Sequence, residues 1–225
     1  MMFEDLQRAI ESVMPYVKQR IGEFKRLRDE GITHYDFRPF LKIELDADIF
    51  SELCFCLLTA NSSASMGILL QKEIGIDGFK SMALEELTQI ISKHGHRFAR
   101  QRAERIVKAR EVFEDVLYLV RNARSGKEIR DLLSDPCSKY KVHGFGLKEA
   151  SHFLRNIGFD DVAIVDRHIL RYLKEKKIIP DQKTLTRRIY LTAEEKLAEI
   201  CSELKLTRSE LDLYIFYIKT KKVLK

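Results

Sequence analysis

Phe3, Leu6, Ile10, Val13, Val17, Ile21, Phe24 and Leu27 recur at three- and four-residue steps. That spacing lines one face of an α-helix and excludes the strict alternation of a half-buried strand. The same period returns along nearly all of the chain. Ile49 to Ala60 is apolar on almost every side, which predicts a central helix buried between neighbours. Leu84, Leu87, Ile90 and Ile91 mark a short helix ending near Gly95. Ala103, Ile106, Val107, Phe113, Val116, Leu117 and Val120 mark a longer one with a strongly basic start, HGHRFARQRAERIVKAR. Ser125 to Glu128 reads as a capping box opening a helix that Asp135 and Pro136 close. Ala150, Phe153, Leu154 and Ile157 give another helical face, with Gly158 as its terminator. Val162 to Val165 reads as a short extended segment, and Arg167 to Lys174 as a helix. Thr192 to Glu195 and Thr207 to Glu210 read as two further capping boxes. Pro15 is expected to kink the first helix, and Gly31 to Pro39 to form a loop or extended connection. The fold class expected is all-α, with roughly ten helices, no strand series and no internal repeat.

The bulk properties bound the function without choosing it. With 225 residues, the chain can bury one good core or two small lobes that share a cleft. Its net charge of +6 and pI near 9.0 suit a polyanionic partner, though charge alone is a weak signal. Cys54, Cys56, Cys137 and Cys201 form no CxxC pair and no zinc or iron–sulfur spacing; Cys54 and Cys56 lie in an apolar run and are expected as buried thiols, and the setting expected is reducing and cytoplasmic. His94 and His96 have no third ligand nearby, and no metal site is expected there. No apolar stretch reaches the length of a membrane span, and no signal-peptide core follows the start MMFEDLQRAIE.

The chemistry concentrates in residues 142–168, VHGFGLKEASHFLRNIGFDDVAIVDRH. Gly144 and Gly146 flank Phe145, a turn that frees backbone amides to approach an anion. The helix that follows aims the positive end of its dipole at the same place. With the helix before it, this is a helix–hairpin–helix. Lys148 falls in the first turn of the second helix. Desolvation and the positive helix end both favour a neutral amine there, and a neutral lysine can form a Schiff base with a sugar carbon. A solvated or phosphate-binding lysine is the plainer alternative. Asp166 stands eighteen residues on, at the end of the apolar run Val162 to Val165. It can cap the next helix, stabilise a cationic sugar, or do both.

The block HGFGLKEASHFLRNIGFDDVAIVDRHIL resembles the helix–hairpin–helix, Gly/Pro-rich, Asp family of DNA repair glycosylases. Within it, FCLLTANSSA, HRFARQRAERIVKAR and LDLYIFYIKTKKVLK look like the type 2 8-oxoguanine DNA glycosylase/lyases. The resemblance implies two helical lobes flanking a cleft: 1–48 plus 168–225, and 49–167 with the hairpin motif at 127–158. It implies that Lys148 is the Schiff-base lysine and Asp166 the essential aspartate. Gly144, Phe145 and Gly146 would grip a backbone phosphate, in many relatives with a monovalent cation at the hairpin carbonyls; no other cofactor is implied. Asn61 falls where relatives place the wedge that fills the gap left by an extruded base, although it could simply end the buried helix. Phe98 and Phe216 are candidates to sandwich that base, and each also fits an apolar helix stripe. Lys225 matches a lysine used to recognise 8-oxoguanine. The partner implied is duplex DNA containing oxidised guanine, bound by a monomer near the nucleoid. Two features depart from the pattern: phenylalanine at 216 where the subfamily has tryptophan, and His143 where relatives outside it carry proline. A lyase for another oxidised base, and a non-catalytic DNA-binding module, remain the alternatives.

Overall fold

The structure is a computed structural model that describes residues 3–123, 125–181 and 184–225. Ten α-helices and one two-stranded hairpin account for its regular elements. The leading stripe forms α1 (Glu4–Glu30), which buries Leu6, Val13, Val17, Phe24 and Leu27 and ends on Gly31 at φ 78°. Pro15 lies inside this helix without interrupting it. Its position is exposed, so water can take the carbonyl that the missing N–H leaves free.

The loop or extended connection expected after α1 is extended, as half of a β-hairpin. β1 (Ile32–Asp36) pairs antiparallel with β2 (Glu44–Asp48), with Tyr35 opposite Leu45. Five residues per strand and frequent charges kept this alternation below notice; Thr33, Tyr35, Leu45 and Ala47 are its buried side. Arg20 of α1 ties it down by donating to the Asp36 carbonyl at 2.8 Å.

α2 (Ile49–Thr59) is buried at every residue, as its composition demanded. Asp48 and Ser51 cap it reciprocally, each accepting the other's backbone N–H. It packs against α3 (Ala64–Ser81), α5 (Ala99–Asn122) and α7 (Leu147–Asn156), so it is the axis of the molecule. α3 escaped the sequence reading because three glycines dilute its pattern. Gly75, at φ 69° and ψ 170°, breaks it into two pieces. α4 (Leu84–Lys93) stacks on α5.

α6 (Gly126–Ser134) and α7 pack together as the expected helix–hairpin–helix. The cap of α6 differs from the expected box. The Ser125 hydroxyl accepts from Lys127 N, and Asp161 supplies the rest, accepting from Gly126 and Lys127. α8 (Arg167–Glu175), α9 (Arg187–Leu204) and α10 (Arg208–Thr220) follow, and α10 packs along α1. α10 opens on the expected Thr207–Glu210 box. Thr192 to Glu195 opens nothing: it lies within α9, whose cap is Thr186.

Candidate active site

α7 begins at Leu147, so Lys148 stands in its first turn with a side chain one-quarter exposed. One helical turn further on is His152, and Arg155 follows on the same face. Asp166 ends the extended run 162–165 and caps α8, its Oδ1 accepting from His168 N at 2.8 Å and Ile169 N at 2.9 Å. Oδ2 has no hydrogen-bond partner among the described residues. Lys148 and Asp166 line one cavity of about 630 Å³, together with Asn61, Phe216 and residue 225. Capping and access to the cavity are therefore compatible in Asp166.

Two side chains of α9 hold the extended run. The Tyr190 hydroxyl of α9 donates to the Ala163 carbonyl at 2.8 Å and accepts from Val165 N at 3.3 Å. Glu194, one turn on, accepts from Ala163 N at 2.9 Å and from Arg130 of α6 at 2.8 Å. Burial pushes the Tyr190 phenol up, so it stays a donor. The motif that misled the reading of α9 thus contains a residue that fixes Asp166 in place.

Asn61 occupies the turn between α2 and α3 in the left-handed conformation, φ 61°, which asparagine tolerates better than most residues. Its turn is clamped from α5 and the residues before it. Buried Arg102 donates to the Ala60 carbonyl at 2.6 Å, and a ring nitrogen of His96 lies 2.9 Å from the Leu58 carbonyl. Phe216 presents its ring to the cavity edge-on to His168, with centroids 5.6 Å apart. Phe98 is not among the cavity residues. It precedes α5, partly exposed, with the Arg97 guanidinium 5.1 Å above its ring.

Lys225 lines the same cavity. Its side chain is fully buried, and its ammonium donates to Glu52 at 2.5 Å and Gln71 at 2.6 Å, over the rings of Tyr35 and Phe55. Asn156 of α7 donates to the other Glu52 oxygen. Burial lowers the Lys225 ammonium to about 8, against the pull of Glu52.

Asp212 is the main cavity residue that sequence reading passed over. It pairs with Arg155 at 3.3 Å. Burial raises its carboxyl to about 6; Asp166 adds to the rise, while Arg155 and Lys148 oppose it. A lone acid in the apolar stripe Leu211 to Ile215 was the available signal, as Glu52 was in α2.

At the hairpin, Gly144 adopts φ 102°, and a Cβ there would come within 2.6 Å of the Arg105 side chain. The Gly146 N–H is not open: the Glu149 carboxylate accepts it at 3.2 Å. Burial lowers the His143 imidazole, with Lys108, Arg105 and Lys141 acting in the same sense, which marks the turn as electropositive.

A helix–hairpin–helix that delivers an amine to a cavity shared with a capping aspartate defines a class, the lysine-bearing DNA glycosylases of this fold. Comparison with known proteins narrows it. The family model for 8-oxoguanine DNA glycosylase matches residues 17–206. An 8-oxoguanine DNA glycosylase/AP lyase of Aquifex aeolicus is 57% identical over 99% of this chain and 98% of its own length. One from Methanocaldococcus jannaschii is 48% identical over 91% and 94%. The crystal structure of the M. jannaschii enzyme with a 15mer DNA containing 8-oxoguanine superposes with a TM-score of 0.84, at 43% identity and full coverage of both chains. That of the Thermotoga maritima glycosylase gives 0.84 at 38% identity, again covering both chains fully. The chain belongs to the 8-oxoguanine DNA glycosylase family. No helix among the described residues is long and apolar enough to cross a membrane.

Proposed function

We propose that this chain is a bifunctional repair enzyme that excises 8-oxoguanine from duplex DNA and then cuts the strand at the abasic site through a Lys148 Schiff base. The observation that carries the reading is the shared cavity of Lys148 and Asp166, in a chain so similar to named glycosylase/lyases. A base within a duplex cannot be reached, so the nucleotide must swing out, at a cost of a few kcal/mol. Asn61, braced at its turn, fills the vacated stack. The everted base enters the cavity against Phe216. Residue 225 contributes there through its backbone, because its ammonium is committed to Glu52 and Gln71.

The Lys148 amine, once deprotonated, attacks C1′ of the deoxyribose. The bond from C1′ to the base breaks, and the base leaves with the bonding electrons and a proton. Asp166 steadies the positive charge that develops on the sugar and receives the amine's proton. The C1′–O4′ bond then breaks, O4′ taking up the proton held by Asp166, which opens the sugar ring to an iminium; the iminium acidifies C2′, and loss of that proton expels the 3′ phosphate, which is β-elimination. Water then releases the sugar fragment and restores the lysine. One chain carries all of these groups, so the chemistry needs no residue from a second copy.

Borohydride reduction tests the covalent step. It should trap the enzyme on a duplex containing 8-oxoguanine, and Lys148→Gln should abolish the adduct. An undiminished adduct in that variant would remove Lys148 from the role. A panel of duplexes, each with one lesion, should give 8-oxoguanine the highest rate; faster excision of an oxidised pyrimidine would reassign the base. Tight, salt-sensitive binding without cleavage of any lesion would leave only a DNA-binding module.

A further inference from the structure

The resemblance that pointed to a glycosylase also pointed to a monovalent cation at the hairpin carbonyls. The residues present do not fit one. The Lys141 ammonium donates to the Phe145 carbonyl, at the middle of the turn, at 2.6 Å. It also donates to the Ser134 carbonyl, at the end of α6, at 2.7 Å. A metal ion on the Phe145 oxygen would stand beside a fixed like charge, which repels it by several kcal/mol wherever water screens poorly.

We infer that Lys141 is the hairpin's own cation: its tethered ammonium takes the place of a metal ion, joins the end of α6 to the turn, and supplies positive charge for a DNA backbone phosphate. An ammonium has three N–H donors. Two are used on carbonyls, and the third has no partner among the described residues. The charge is also placed where an anion would come. Arg105 lies against Gly144, and Lys108, Arg105 and Lys141 all act on His143. Partial burial lowers the Lys141 ammonium, and Asp135 and Glu149 oppose that in favour of the charged form. The role goes beyond generic surface charge, because a solvated lysine would not surrender two donors to backbone carbonyls of the turn.

The inference rests on the proposed function in one respect, that the anion is DNA. The test uses the whole protein and a fluorescent duplex with a tetrahydrofuran abasic-site analogue. Affinity is read by anisotropy in sodium, potassium and tetramethylammonium chloride at equal ionic strength. The wild type should bind equally, within about twofold, in all three, because no metal ion is needed. Lys141→Met should bind about tenfold more weakly in tetramethylammonium and recover several-fold in potassium or sodium, which can now reach the vacated carbonyls. Lys141→Gln, which keeps a donor but no charge, should behave alike and serves if the methionine variant folds poorly. A wild type that loses affinity in tetramethylammonium would overturn the inference. So would variants with unchanged affinity, or with a loss that no cation repairs. Borohydride trapping of the wild type, read in the same preparation, reports separately on the glycosylase reading.

Discussion

Asn61 separates backbone strain from side-chain function, because its φ of 61° is adopted freely by glycine and reluctantly by alanine. Asn61→Gly should keep the fold, with stability changed by only a few tenths of a kcal/mol, yet excise 8-oxoguanine at least about tenfold more slowly. Asn61→Ala should lose a further ~1 kcal/mol of stability, read from denaturation midpoints. A glycine variant with wild-type excision would reduce Asn61 to a turn residue. Asp212 gives a pH test. Its carboxyl titrates near 6 in the folded protein and near 3.8 when unfolded. Between those values the folded state binds the extra proton, so this group's contribution to stability is lost as pH rises from 4 to 6. Asp212→Asn removes that slope: relative to the variant, the wild type should lose stability across this interval. Parallel curves would show that the carboxyl is not displaced. The proposed pair, Lys148 and Asp166, was legible in the sequence because the glycines, the lysine and the aspartate stand where the family resemblance places them. Asp212 and Glu52 were not, since a lone acid inside an apolar stripe declares its burial but not its partner.

At the scale of elements, the long helices were legible because an apolar face recurring over three or more turns has few other readings. The hairpin β1–β2 and α3 were not, because five-residue alternations and glycine-interrupted stripes carry little period. α3 owes its place to Gly67, where a Cβ would lie 2.5 Å from Thr59 Cγ2 and 2.8 Å from the Phe55 ring. Gly67→Ala should therefore lose about 1–3 kcal/mol to overpacking, offset in part by better helix propensity, and its melting temperature should fall. The run that carries Asp166 depends on a neighbour no local pattern could name. Tyr190→Phe removes the hydroxyl that serves Ala163 and Val165. It should cost about 1–3 kcal/mol and slow excision through a lowered single-turnover rate rather than weaker DNA binding. Equal rates with lowered stability would confine Tyr190 to packing.

Across the whole molecule, four distant stretches meet at Glu52: α2 itself, Gln71 of α3, Asn156 of α7 and Lys225. A buried pair broken on one side leaves an uncompensated charge, at about 3–5 kcal/mol. Glu52→Leu and Lys225→Met should each destabilise strongly, and the double variant should recover much of the loss in urea denaturation. Additive losses would show that the two do not act as a pair. The same meeting point joins α7, which carries Lys148, to residue 225 at the cavity wall, so the proposed nucleophile and the proposed base-binding wall share one support. The central claim is that the amine of residue 148 becomes covalently attached to the damaged nucleotide's sugar. Borohydride trapping on a duplex containing 8-oxoguanine, followed by peptide mass analysis, tests it most directly. The account predicts one reduced sugar adduct on the peptide bearing Lys148, absent from Lys148→Gln and slowed about 10²–10⁴-fold in Asp166→Asn; an adduct on any other residue, or none with the wild type, would contradict it.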